Sequence, residues 1–340
     1  MTRSRFTSEN DVNGTAPAPT LDEIRAARAK LADKVRVTPI HALPLRELDP
    51  TWPTDAEGVF KLELFQVTGT FKARGALNGM LALTPEQKKC GVTAVSAGNH
   101  AVAVAYAAQA LGMPARVVMI KTANPLRVAL AKGFGAEVEF AEHGKAAFER
   151  VKQIETEEGR FFVHPFEGPG PVTGTATLGL EWHEQAPQMD AVAIACGGGG
   201  LLGGVAAAIR QLSPGTVVYG VEPEGADNMC RSFEAGAPAT LPSVSTIADS
   251  LGPPYSTPYT YGVCRRFVEK MVRVSDAQIR EAMRLTFRVL KLAGAPAGAA
   301  ALAGALGPLR SDLAGRKRIG ILVCGANIDA ATFSAQIAAA

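Results

Sequence analysis

A chain of 340 residues, 47% hydrophobic and 20% charged, is long enough to bury an extensive core and does not have the composition of a disordered protein. Its 35 Lys and Arg against 32 Asp and Glu leave a net charge of +3 with no block of like charges, which argues against nucleic acid or an anionic membrane as partner. Five scattered cysteines, Cys90, Cys196, Cys230, Cys264 and Cys324, form no C-x-x-C pair and no metal-like cluster with histidine, as expected of a reducing cytoplasm.

In chain order, residues 1–20 are polar and lack the apolar run of a signal peptide, so a disordered tail is expected. Leu21, Ile24, Ala27, Leu31 and Val35 fall at helical spacing behind Asp22 and Glu23, acidic residues suited to the positive end of a helix, and predict a helix over 21–35. The run 59–63 reads as a strand that feeds a helix over 72–83. Short apolar strands at 92–95, 115–120, 137–140 and 161–164 then alternate with helices at 101–111, 125–134 and 145–157. The alternation resumes with strand 191–195, helix 201–212, strand 217–222, helices 225–234 and 276–291, and strand 319–324. Strands separated by helices imply parallel pairing with right-handed crossovers, so the fold class is α/β, with two open twisted, mainly parallel sheets flanked by helices. The uncharged runs 191–209 and 292–309 are broken by four glycines and by Pro296 and Pro308, and are expected as buried core, not membrane spans.

One lysine stands out, in Val67-Thr68-Gly69-Thr70-Phe71-Lys72-Ala73-Arg74-Gly75. A lysine amine attacks a carbonyl only when burial or a neighbouring cation lowers its pKa, and Phe71 and Arg74 could supply both; the alternative is an ordinary solvated lysine at a helix start. Two further stretches favour the first reading. Ser96-Ala97-Gly98-Asn99-His100 and Gly197-Gly198-Gly199-Gly200 each follow an apolar strand and open a helix, which places backbone N–H groups where a phosphate is favoured. Lysine, polar turn and phosphate cradle together suggest pyridoxal phosphate, bound in the crevice at the carboxyl ends of the strands. Taken alone, Gly198, Gly200 and Gly203 also give G-x-G-x-x-G with Glu222 about 20 positions on, so a nicotinamide-binding oxidoreductase competes.

These stretches, with Lys61-x-Glu63-x-x-Gln66 before them and Cys324-Gly325-Ala326-Asn327 after, resemble the serine/threonine dehydratase family of fold-type II, tryptophan synthase β-like pyridoxal-phosphate enzymes, over about residues 21–329. The resemblance implies a small domain, 90–166, inserted in a large one made of 21–89 and 167–340. It implies that Lys72 forms the Schiff base with the cofactor and, once displaced by the substrate, removes the α-proton. It further places Phe71 beside the cofactor, Asn99 on its phenolic oxygen, Gly197, Gly198, Gly199 and Gly200 around its phosphate, and Cys324 opposite its pyridine nitrogen. Ser96, Ala97, Gly98, Asn99 and His100 would hold the substrate carboxylate. Phe71 as ordinary core and His100 as a locally satisfied helix-start histidine are the alternatives. A thiol cannot keep a proton on the pyridine nitrogen as a carboxylate would, so the site suits β-elimination better than transamination. The implied activity converts a β-hydroxy L-amino acid such as threonine, serine or a close relative into a 2-oxo acid and ammonia.

Several departures qualify the match. Racemases of the family carry a serine where this chain has Ala97, so racemase activity is expected to be weak or absent. The usual Gly-Gln-Gly-Thr is Gly174-Thr175-Ala176-Thr177 and the usual Ala-Asp-Gly is Ala248-Asp249-Ser250, both expected near the substrate side chain or its loop. Glu222, Ala226 and Asn228 match positions that hold a divalent cation in some relatives, an oxygen set suited to Mg2+ or Ca2+, although Asn228 stands where a carboxylate is common; a plain loop carboxylate is the alternative for Glu222. β-Replacement of the cysteine-synthase kind is a further alternative, though its lysine segment usually has Val-Lys-Asp-Arg where this chain has Phe71-Lys72-Ala73-Arg74. So is a cofactor-binding protein without turnover. A homodimer is implied, and with the chain ending soon after Asp329, feedback by isoleucine is not expected.

Overall fold

The computed structural model describes residues 11–12, 16–96 and 98–339. Most of the expected disordered tail therefore lies outside the described residues. Its described end corrects that expectation: Asp11–Val12 pairs with Ala16–Pro17, Ala18 is buried, and the Pro17 carbonyl accepts the Tyr259 hydroxyl at 3.0 Å.

Six strands form the larger sheet, in the spatial order Lys270–Val274, Val217–Pro223, Ala191–Ala195, Arg318–Leu322, Glu57–Lys61, Ile40–Pro44. All pairs are parallel except the last, where Ile40 lies opposite Lys61 in an antiparallel edge. The central strand Ala191–Ala195 is buried at every position, as a parallel strand covered on both faces must be. The smaller sheet has the order Glu137–Ala141, Ala115–Ile120, Val92–Val95, Phe161–Phe162, all parallel. Each sheet has its own principal apolar cluster.

Most expected elements form, with shifted ends. The first helix stops at Leu31 and begins at a Thr20 capping box with Glu23. The helix expected over 225–234 starts only at Asn228, because Gly225 is pressed against the Ser245 carbonyl and the segment before Asn228 turns. Elements the spacing does not announce are Ile40–Pro44, Lys270–Val274 and the helices Pro85–Cys90, Pro169–Gln185, Pro258–Phe267 and Ala330–Ala338. Prolines at 39 and 44 read as breakers, but an edge strand tolerates them. The 17-residue helix Pro169–Gln185 carries no polar stripe because it is buried among neighbours. It crosses Gly200–Leu212 so closely that a Cβ on Gly204 would lie 2.5 Å from the Val172 carbonyl. The uncharged runs are core: the first is a strand, glycine turn and helix, and the second contains the buried helix Pro296–Leu306. No helix among the described residues is long and apolar enough to cross a membrane.

Candidate active site

Lys72 is the first residue of the helix Lys72–Leu81, and its Nζ donates to the Pro165 carbonyl at 2.8 Å. Burial lowers its pKa to about 8, opposed only in part by the Cys324 thiol. The amine stands 5.2 Å from the centre of the Phe71 ring. Arg74, expected to depress this pKa, does not contribute. It points away from the cleft into a buried network, with Nε 2.6 Å from Glu63 Oε1 and Nη2 2.9 Å from Glu181 Oε2. Lys61 Nζ completes the network 2.6 Å from Glu181 Oε1, while Thr38 and Gln66 donate to Glu63. The regular spacing of Lys61, Glu63, Gln66 and Arg74 thus belongs to a fastening of two cations and two carboxylates under the lysine turn, not to the cleft.

The cleft into which Lys72 projects has an empty space of about 590 Å³, open mouth included, and is lined by Phe71, Asn99, Phe166, Ser250, Cys324 and the glycines 197–200. The glycines are required here. Gly199 has φ +88°, and a Cβ on Gly198 would sit 2.4 Å from the Phe166 ring. They lead into the helix Gly200–Leu212, whose first-turn N–H groups have no acceptor within the helix and face this end of the cleft. Cys324 is buried, donates from Sγ to the Ala297 carbonyl at 3.4 Å, and burial pushes its thiol up to about 12, so it stays neutral. An amine of lowered pKa and a turn of glycines, packed too closely against Phe166, Met229 and Leu251 for any Cβ, at a helix N-terminus fit pyridoxal phosphate, and the neutral thiol is compatible with it.

Asn99 opens the helix Asn99–Ala110 and belongs to a closed ring of hydrogen bonds. Its Oδ1 accepts from Asn327 Nδ2 at 2.9 Å, and its Nδ2 donates to Ser250 Oγ at 3.1 Å. Ser250 Oγ donates to Asp249, Asp249 pairs with Arg127 (Nη2 to Oδ1 3.1 Å), and Arg127 Nε returns to the Asn327 carbonyl at 3.1 Å. The ring ties the helix Pro125–Gly133 to the loop over the cleft and settles the Asn99 amide with its N–H side toward Ser250. Arg127, 3% exposed, was not singled out by the sequence. The only signal available there was its register in an amphipathic helix.

The turn before Asn99 is drawn in beside it. Ser96 Oγ accepts from Gly98 N at 3.0 Å, and a Cβ on Gly98 would lie 2.9 Å from Arg127 Nη1. Ala97 lies outside the described residues. His100 is buried, with Nε2 on the Val163 carbonyl at 2.8 Å, so that nitrogen carries the proton. Burial, helped by the Lys72 charge, lowers its pKa to about 3. Its ring is therefore a neutral, locally satisfied group and not a cationic carboxylate clamp. His164, absent from the sequence reading, is likewise held neutral by burial, at about 4, and its Nδ1 accepts from Glu167 N at 2.9 Å.

The two departures in motif fall in different places. Ser250 stands at the cleft, as expected. Thr175 lines the inner cavity beside Lys72 and Phe71, but its Oγ1 is turned to the carbonyls of Val172 and Gly200, and Thr177 lies against Arg74. Of Glu222, Ala226 and Asn228, the two polar side chains are committed elsewhere. Glu222 accepts from Met229 N and Cys230 N at 3.0 and 2.7 Å, which caps the helix Asn228–Ala235. That capping role also answers the nicotinamide reading, because a dinucleotide site leaves this acidic residue free for a ribose. Among the described residues no group of three or more His, Cys, Asp or Glu could hold a metal ion.

Comparison with known proteins adds a family. The sequence matches the family described as pyridoxal-phosphate dependent enzyme over residues 31–325. It is 54% identical over 323 residues to a phenylserine dehydratase of Ralstonia pickettii, covering 95% of this chain and 98% of that protein. It is 33% identical over 320 residues to an L-threo-3-hydroxyaspartate ammonia-lyase of Saccharomyces cerevisiae, covering 94% and 96%. The fold superposes on maize serine racemase with a TM-score of 0.88 at 34% identity, covering 95% of this chain and 98% of that one.

Proposed function

The chain belongs to the pyridoxal-phosphate dependent enzyme family, and from that premise we propose that it is an ammonia-lyase taking a β-hydroxy L-amino acid with an aromatic side chain, of the phenylserine type, to a 2-oxo acid and ammonia by α,β-elimination. The observation that carries the aromatic preference is the outer cleft. Beyond Lys72 and Asn99 it is walled by Phe148, Phe166, Pro253, Pro254 and Tyr255, with Phe166 and Tyr255 ring centres 5.9 Å apart. Aromatic walls favour an aryl group by stacking and apolar burial. Arg127, the other cation among the described lining residues, is engaged by Asp249, so a substrate β-carboxylate finds no ready partner.

Bound pyridoxal phosphate supplies the electron sink for elimination. Lys72 would hold it through the amine and, when free, would serve as the base for the α-proton; its lowered pKa leaves part of it neutral near neutral pH. Asn99 Nδ2 would be the donor for the cofactor's phenolic oxygen. Gly197, Gly198, Gly199 and Gly200 present N–H groups to its phosphate, and Phe71 packs beside the lysine. The turn from Ser96 through Ala97 and Gly98 to Asn99 and His100 receives the substrate carboxylate through N–H and hydroxyl groups, since the His100 ring is neutral and occupied. The neutral Cys324 thiol would stand at the pyridine nitrogen and would not hold a proton on it, which would favour loss of the β-hydroxyl over transamination.

The two separate sheets support a small domain at 90–166 within a large domain of 21–89 and 167–340, with Leu31, Leu77 and Met80 of the large domain packing into the small domain's apolar cluster. Unpaired thiols, four of them buried, suit a cytoplasmic setting. Exposed Val37 and Phe65 on neighbouring segments support a homodimer, which sedimentation would register as a doubled mass.

Two measurements test this reading. Oxo-acid release should be fastest with phenylserine, and Phe148→Ala should lower kcat/KM for phenylserine by roughly tenfold or more while changing threonine turnover little. A higher kcat/KM for threonine or hydroxyaspartate than for phenylserine would remove the aromatic assignment. Because only the neutral amine attacks an aldehyde, capture of pyridoxal phosphate by the cofactor-free protein should accelerate as pH rises through about 8. Stopped-flow absorbance showing the same capture rate on both sides of that value would contradict a Lys72 pKa set by burial.

A further inference from the structure

Asn228 occupies the place where the sequence resemblance puts one ligand of a divalent cation, yet its surroundings are those of a donor. The residue is 0% exposed. Its Nδ2 donates to the Pro253 carbonyl at 3.0 Å and to the Gly197 carbonyl at 3.4 Å, and its Oδ1 accepts from Ser256 Oγ at 2.5 Å. Ser232 Oγ in turn donates to Ser256 Oγ at 3.0 Å. Gly197 begins the phosphate cradle and Pro253 belongs to the cleft wall, so one amide fastens the cradle to the wall.

A hard divalent cation binds oxygen lone pairs. Here the amide presents N–H hydrogens, which cannot ligate a cation, to the Gly197 and Pro253 carbonyls, and each carboxylate oxygen of Glu222 already accepts a backbone N–H of the helix it caps. The donor set does not fit a cation. We infer that the Asn228 amide makes, by hydrogen bonds, the connection that a divalent cation would make at this position, so that cradle and cleft wall are held without metal. The inference rests on the family membership of the chain but not on which amino acid is the substrate.

The test uses the protein loaded with pyridoxal phosphate and reads melting temperature and the visible cofactor band, not turnover. Wild-type protein treated with EDTA should keep both, and added Mg2+ or Ca2+ should change neither. Asn228→Asp exchanges the N–H donors for a carboxylate facing two carbonyls, an arrangement that a cation would neutralise. That variant should melt lower in EDTA and recover by roughly 5 °C on saturation with Mg2+ or Ca2+. Asn228→Ala removes the fastening without adding charge; it should release cofactor about tenfold more readily, with no rescue by cations. Loss of wild-type stability in EDTA that Mg2+ or Ca2+ restores, cation indifference of Asn228→Asp, or cation rescue of Asn228→Ala would each overturn the inference. The wild-type measurement stands even where a variant fails to fold.

Discussion

Substituting alanine for Lys72 should eliminate the visible band of the lysine-bound cofactor and lower oxo-acid release by at least about 10⁴-fold. The size of the loss follows from two tasks that the proposed function rests on one amine: it would bond the cofactor's aldehyde, and once freed it would be the base for the α-proton. No neighbour can take over. The His100 and His164 rings are tied to backbone groups, and the Cys324 thiol is a far weaker acid than a free cysteine because it is buried. The fold should survive, because Lys72 Nζ makes its hydrogen bond to a single carbonyl, Pro165, and removing a partly neutral buried amine leaves no uncompensated charge. Partial recovery of turnover on adding a small primary amine such as methylamine would separate loss of the base from misfolding. An alanine variant that keeps both band and activity would take Lys72 out of the chemistry altogether.

The second large effect is on stability. Glu181 is 1% exposed and its two oxygens serve Lys61, Arg74 and the Thr38 N–H. Glu181→Ala strands two buried cations beside the single remaining carboxylate, Glu63. Breaking a buried pair in this way costs about 3–5 kcal/mol, which corresponds to a fall in melting temperature of roughly 10 °C. The network lies beneath the lysine turn and not in the cleft, so kcat per folded molecule should be unchanged. Calorimetry alongside steady-state kinetics reads both. Burial pushes the Glu181 carboxyl up, but Arg74 and Lys61 outweigh it and hold the folded-state pKa below the ordinary 4.5. A carboxylate with a lowered folded pKa stabilises fully above its unfolded value and loses that contribution as pH falls through the folded one. As pH falls below the ordinary 4.5 and through the lowered folded value, the wild type should therefore approach the variant in stability, and a difference that persisted unchanged into acid would contradict the ion-pair account.

The buried network also explains why the lysine stretch misleads at one point. On paper Arg74 lies two residues from Lys72 and looks like the cation that depresses its pKa. On a helix, residues two apart do not face each other, so the guanidinium is carried to the opposite side, where Glu63 and Glu181 wait. Burial alone then lowers the Lys72 pKa. Thr175 makes a related point: it borders the inner cavity beside Lys72, yet its hydroxyl is spent on the Val172 and Gly200 carbonyls and not offered to the space it lines.

Local order did much by itself. The alternation of short apolar strands with amphipathic helices determined an α/β chain with parallel sheets, because periods of about 2 and 3.6 are properties of the backbone that need no partner. The lysine stretch, the Asn99 turn and the four glycines likewise identified the groups that meet, since strand, turn and helix start place N–H groups toward a phosphate whatever surrounds them. Tertiary structure decided the rest. The middle of Pro169–Gln185 and the small-residue helix Pro296–Leu306 have no polar face because neighbours bury them, and no period in the sequence marks that. The ring through Arg127, Asp249, Ser250, Asn99 and Asn327, and the amide bridge of Asn228, join residues up to 228 positions apart in the chain. Which donor meets which acceptor across such distances is fixed only when both sheets have packed, and on that meeting depend the orientation of Asn99, the neutrality of His100 and the commitment of Glu222 to a helix end instead of a metal.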